Sequence, residues 1–104
     1  MTIQFNTDKN IKGNEAFTTP LIAFITEDLS RFSDQITRVE VHLSDEDGNK
    51  DGQKDKRCLL EARLAGMNPI AVTNIADTDE QAVEGAVDKL KTSLETILGR
   101  LRNH

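Results

Sequence analysis

The chain has 104 residues, enough for one domain with a single modest core and too few for two. With 37% apolar and 30% charged residues it has the composition of a folded soluble protein and not of a disordered one. The net charge of −5 weighs against a general polyanion binder, whose affinity rests on clustered Lys and Arg, although "KDKR" at Lys54–Arg57 and "GRLRNH" at Gly99–His104 are local basic spots.

The first residues, "TIQFNT", alternate Ile3 and Phe5 against Thr2, Gln4 and Asn6, the period of two that marks a half-buried strand. "DKNIKGN" reads as a turn. Thr19 and Pro20 then look like an N-cap and first helical residue, with a looser turn at "NEAF" leading into them. Leu21, Phe24, Ile25, Leu29, Phe32 and Ile36 follow at spacings of three and four, which predicts an amphipathic helix of about four turns.

"TRVEVHLS" returns to strict alternation, with Val39, Val41 and Leu43 on one face and Arg38, Glu40, His42 and Ser44 on the other. After an Asp/Gly/Lys-rich stretch, "RCLLEARLAG" reads as a strand with Cys58, Leu60, Ala62 and Leu64 inward and Glu61 and Arg63 outward. "MNP" makes a turn and "IAVTNIA" a fourth strand. Thr78 opens the last helix, with Gln81 three residues later completing a capping box. That helix carries Val83, Ala86, Val87, Leu90, Leu94, Ile97, Leu98 and Leu101 at helical spacing.

The order β-α-β-β-β-α predicts an α+β fold in one domain over residues 1–104. The first helix crosses between parallel strands, the next three strands form an antiparallel meander, and two helices pack on one face of a four-stranded sheet. The longest apolar run, "LIAFI", falls far short of the roughly 20 residues that span a bilayer, and "MTIQFNTDKN" lacks the pattern of a signal peptide. A cytoplasmic protein is expected. The single Cys58 agrees with a reducing compartment.

One stretch resembles a metal loop. "DGNKDGQKDKRC" places Asp47, Asn49, Asp51 and Gly52 at positions 1, 3, 5 and 6 of an EF-hand calcium loop, with Asp55 at position 9. Position 12, which needs a bidentate Glu, is Cys58, a poor ligand for a hard cation. The flanks read as strands, and Lys50, Lys54 and Lys56 put positive charge in the cage. A polar hairpin loop is the better reading, and no metal or other cofactor is expected. Nor is catalysis expected. Cys58 alternates in phase with core leucines, His42 lies on an outer strand face, His104 is the last residue, and the glycines at 48, 52, 66, 85 and 99 match no phosphate-binding spacing. A pair drawn from Glu40, His42 and Glu61 on the open sheet face reads more simply as the wet side of the sheet.

For nucleic acid, the outer sheet face offers Glu40, His42, Glu61, Arg63 and Thr73 where single-strand platforms display aromatics, so base stacking is not expected. Contacts with the phosphates of structured RNA would fall to Lys54, Lys56, Arg57, Lys89, Lys91, Arg100 and Arg102, or these are ordinary solubilising charge.

"VEVHL" after an amphipathic helix, "DKRC" opening the third strand and "AVEGAVDKLKTSL" in the last helix together resemble the ribosome hibernation promoting factor family, also called ribosomal subunit interface proteins. The resemblance covers nearly the whole chain and is strongest to short members with a "DxNGxxxGxxDKRC" loop, read here as "DEDGNKDGQKDKRC". It implies two helices on a four-stranded sheet. It also implies a noncatalytic, monomeric, stress-linked factor that docks on the RNA of the small ribosomal subunit and modulates translation, without membrane or small-molecule substrate. Lys89, Arg100 and Arg102 match basic positions of the family, and Lys56 and Arg57 match its "DKR". Thr92, Thr96 and Leu98 stand where basic residues are common in that family. The alternative is a regulatory module of the same fold that binds a protein partner through its acidic surface.

Overall fold

The computed structural model describes residues 1–8, 14–45 and 55–102, the side chains of residues 100–102 excepted. Strand β1 (Thr2–Thr7) leads to helix α1 (Glu15–Asp28), a single 3-10 turn (Ser30–Phe32), the strands β2 (Ile36–Asp45), β3 (Lys56–Leu64) and β4 (Ile70–Ala76), and the long helix α2 (Asp79–Arg102). The sheet order is β1-β2-β3-β4. β1 is parallel to β2 across the α1 crossover, and β2, β3 and β4 form the antiparallel meander expected from their short connections.

Alternation sorts the strands into a dry face and a wet one. Val39, Val41 and Leu43 of β2 and Cys58, Leu60, Ala62 and Leu64 of β3 are buried, and α1 and α2 close over them with Leu21, Ile25, Ala82, Val83, Ala86, Val87, Leu90 and Leu94. Each leucine removed from water in this layer contributes about 1.5–3 kcal/mol. The stripe of α2 works as the spacing predicts: five of its positions, Val83, Ala86, Val87, Leu90 and Leu94, have no exposed surface.

Helix α1 differs from its sequence reading at both ends. Asn14, not Thr19, is the N-cap: its Oδ1 accepts the Phe17 amide at 3.0 Å. Pro20 therefore lies inside the helix, where the bond it cannot donate leaves only the Ala16 carbonyl near the solvated first turn unmatched. At the other end the α-helix stops at Asp28 and the 3-10 turn carries Phe32 into the core, 6% exposed. Ile36 belongs to β2, where it is buried beside an irregularity in the register at Ile36/Arg38. A 3-10 turn keeps an i, i+3 stripe, so periodicity alone runs past the true helix end.

Helix α2 begins as the capping box predicts, with the Gln81 amide donating to Thr78 Oγ1 at 3.1 Å. Between β3 and β4 the chain reverses through Gly66, whose φ of +71° is the left-handed region that costs glycine nothing. No helix among the described residues is long and apolar enough to cross a membrane.

Candidate functional site

Lys56 opens β3 directly opposite Asp45, the last residue of β2. Its ammonium lies 3.2 Å from Asp45 Oδ2 and 3.0 Å from Asp55 Oδ1, and both carboxylates are nearly buried, 8% and 5% exposed. The hydrogen bond from Lys56 holds the Asp55 carboxyl below its ordinary value, and the same bond holds the Lys56 ammonium above its own. The Asp45 amide donates to Asp8 Oδ2 at 3.2 Å, tying the end of β1 into the group. Asp79, in the first turn of α2, is pushed up by burial against the opposing pull of Lys56. Its Oδ1 is buried and accepts no hydrogen bond from the described residues. Lys56 is thus the counter-ion of an acidic cluster at one end of the sheet.

Arg57, one residue on, turns to the wet face. It lines a polar cleft of about 260 Å³ with Asn6, Thr7, Asp8, His42 and Ser44. Lys89 projects from the middle of α2 to the sheet edge, where its Nζ donates to the Thr73 carbonyl at 2.7 Å. Lys91 on the other flank pairs with Asp28 at 3.2 Å. Arg100 and Arg102 sit on the last turns of α2. From the Asp79 end, beside Lys56, to Arg100 is about 30 Å along the helix at 1.5 Å per residue. The five predicted residues, Lys56, Arg57, Lys89, Arg100 and Arg102, are therefore strung along the molecule and do not converge on one point.

The wet face carries ions in balance. Glu40 and Glu61 stand directly opposite each other on β2 and β3, a like-charge pair that would be unfavourable alone. Arg63 bridges them and Arg38 adds a second cation to Glu40: Arg38 Nη2 is 3.1 Å and Arg63 Nε 3.5 Å from Glu40 Oε2, and Arg63 Nη2 is 3.4 Å from Glu61 Oε1. All four aromatic residues lie on the helix side. Phe5 meets Phe17 edge to face at 6.4 Å, Phe24 packs on the core and Phe32 is within it. Among the described residues the wet face carries no Phe, Tyr or Trp ring on which a base could stack.

Cys58 is fully buried, and burial pushes its thiol up to about 12, which removes it as a nucleophile near neutrality. Of the EF-hand-like positions, Asp47, Asn49, Asp51 and Gly52 lie outside the described residues, as does Lys54. Asp55 is engaged by Lys56 and Cys58 points into the core. Among the described residues no group of His, Cys, Asp or Glu is assembled to hold a metal.

Two contacts were not foreseen. Asn74 faces inward from β4 and donates through Nδ2 to the carbonyls of Gln81 (3.3 Å) and Ala82 (3.2 Å) on α2. The signal for it was the one polar residue at an inward position of "IAVTNIA". Arg31 stacks on Phe32, 4.5 Å from the ring centroid, and pairs with Glu95 of α2. Nothing in the sequence spacing links those residues, 64 positions apart.

Fold and surface together define a two-layer α+β domain with one wet sheet face and cations spread along its rims. The chain belongs to the Sigma 54 modulation protein / S30EA ribosomal protein family, whose profile matches residues 7–102. Its backbone is similar to the N-terminal domain of Protein Y from Thermus thermophilus (TM-score 0.73, 20% identity, 93% of this chain and 99% of that one). It is also similar to a ribosomal subunit interface protein from Coxiella burnetii (TM-score 0.71, 19% identity, 95% and 99%). No curated protein sequence matches the chain.

Proposed function

We propose that this protein is a cytoplasmic, noncatalytic ribosome-associated factor that acts as a monomeric single domain. In this reading it docks on the RNA of the small ribosomal subunit under stress and modulates translation. The observation that carries the reading is the family match over residues 7–102. The presence of Lys56, Arg57, Lys89, Arg100 and Arg102 on an otherwise acidic chain supports it, because phosphate contacts position a protein on structured RNA without reading bases.

Lys56 and Lys89 are engaged within the protein, by Asp45 and Asp55 and by the Thr73 carbonyl. RNA phosphates would compete with those partners, so each contributes less than a free lysine. Sedimentation of the purified protein with ribosomes and isolated small subunits at low salt tests the reading, and failure to co-sediment with either would end it. The acidic outer side of α2, with Glu80, Glu84, Asp88 and Glu95, supports the alternative of a protein partner. That reading predicts one crosslinked protein that persists after nuclease treatment.

A further inference from the structure

Gly99 is the glycine of α2 that the fold itself does not explain. A Cβ at Gly85 would strike Asn74, whereas a Cβ at Gly99 would meet no atom within 4 Å. The chain at Gly99 is ordinary helix, and among the described residues the left-handed conformation that favours glycine falls at Gly66. Alanine would be the better helix former at such a position. A helix surface left bare without an internal reason suits close approach by something outside the chain, as where a ligand lies against the backbone.

Gly99 borders a cavity of about 290 Å³ between the 3-10 turn and the end of α2, lined also by Arg31, Phe32, Gln35, Glu95 and Leu98. Leu98 packs on the core and gives the cavity an apolar wall. One face of the Arg31 guanidinium lies on Phe32, and with 60% of the Arg31 side chain exposed the guanidinium still offers a plane on which a flat group can stack. The polar groups are only partly used. Arg31 takes Oε1 of Glu95, and among the described residues nothing engages Glu95 Oε2 or the side-chain amide of Gln35. An acceptor oxygen and an amide that both donates and accepts are therefore available beside the apolar wall. The segment from Thr96 to His104 holds Arg100 and Arg102 and no acidic residue, the charge that a phosphate chain running past the cavity requires.

We propose that this cavity receives one unstacked RNA base with an exocyclic amino group, cytosine or adenine, whose N–H donates to Glu95. Resting on the RNA-binding reading above, the site deepens it: Arg100 and Arg102 hold phosphates while the cavity selects the base. One carboxylate oxygen accepts one N–H, which the amino group supplies, and the Gln35 amide donates to the ring nitrogen beside it. Uracil turns a carbonyl oxygen toward Glu95 at the same edge and is repelled. Guanine offers two adjacent N–H groups, which a carboxylate meets with both oxygens, and Arg31 holds one of them.

Fluorescence anisotropy with end-labelled oligocytidylate, oligoadenylate and oligouridylate of equal length tests the site without a ribosome. The wild type should bind the first two about tenfold more tightly than oligouridylate. Glu95→Gln, whose amide donates as well as accepts, should let oligouridylate bind as tightly as the others. Gly99→Ala, whose methyl group enters the cavity, should lose the preference while thermal melts show a fold at least as stable as the wild type. Equal binding of all three by the wild type overturns the proposal and leaves phosphate docking on the ribosome standing, and so does a preference that survives either substitution. Binding of none overturns it too, and co-sedimentation with ribosomes then decides the proposed function separately.

Discussion

Gly85 of α2 packs directly against Asn74 of β4. A Cβ built there would lie 2.1 Å from Asn74 Nδ2 and 2.6 Å from its Cγ, and the amide it would displace bonds two α2 carbonyls. Gly85→Ala should therefore cost about 1–3 kcal/mol by overpacking, despite alanine's better helix propensity. Replacing Asn74 by Ala in the same chain should recover much of that loss, so a double-mutant cycle in urea should give a clear coupling energy. Additive effects would show that the two residues do not share the space. The Asp55–Lys56 pair makes a pH prediction. The Asp55 pKa is lowered in the folded state from its ordinary 3.8, so its contribution is present above 3.8 and lost as pH falls through the lower folded value. Asp55→Asn should accordingly lower the denaturation midpoint at pH 7, and the gap from wild type should shrink below pH 3.8.

At the scale of elements, α1 is the instructive case. Its N-cap bond from Phe17 to Asn14 is a side-chain cap of the ordinary kind, and Asn14→Ala should cost about 1 kcal/mol. Pro20 is the opposite: an exposed interior position occupied by the worst helix former. Pro20→Ala restores the bond to the Ala16 carbonyl and should stabilise the protein by about 1 kcal/mol, the gain being reduced by the freer unfolded chain. Thermal melts of both variants would check the two signs. Should Pro20→Ala destabilise the fold, the ring is packing usefully and the helical argument is incomplete. These boundaries were hard to read because Thr-Pro is the stronger sequence pattern, while Asn14 follows a turn-like run. Only the geometry shows which side chain meets the free amides. The strands were easier, since a period of two separates Val39, Val41 and Leu43 from their neighbours without reference to any other element.

At the scale of the whole molecule, cations spread over about 30 Å of helix length make a quantitative prediction about ribosome binding. If Lys56, Arg57, Lys89, Arg100 and Arg102 each meet one phosphate, log K should fall with log salt at a slope of about −4. Arg100→Gln with Arg102→Gln should flatten it by about 1.5–2. A slope near zero in the wild type would exclude phosphate contacts as the basis of binding. The core predicts its own behaviour: Leu90, with no exposed surface, should cost about 3 kcal/mol on replacement by alanine, measured by denaturant unfolding.

The amino-acid sequence by itself determined the number and kind of elements, their inward and outward residues and the absence of an aromatic platform. These follow from local periodicity and composition, which need no knowledge of partners. It also named Lys56 and Lys89 as cations. Only the tertiary structure decided that Lys56 answers Asp45 and Asp55 and that Lys89 donates to the Thr73 carbonyl of β4. Such pairings join residues that chain folding alone brings together: Lys89 lies 16 positions from Thr73, and Arg31 lies 64 from Glu95. What a charge does depends on its nearest opposite charge or open carbonyl, and that neighbour is set by packing.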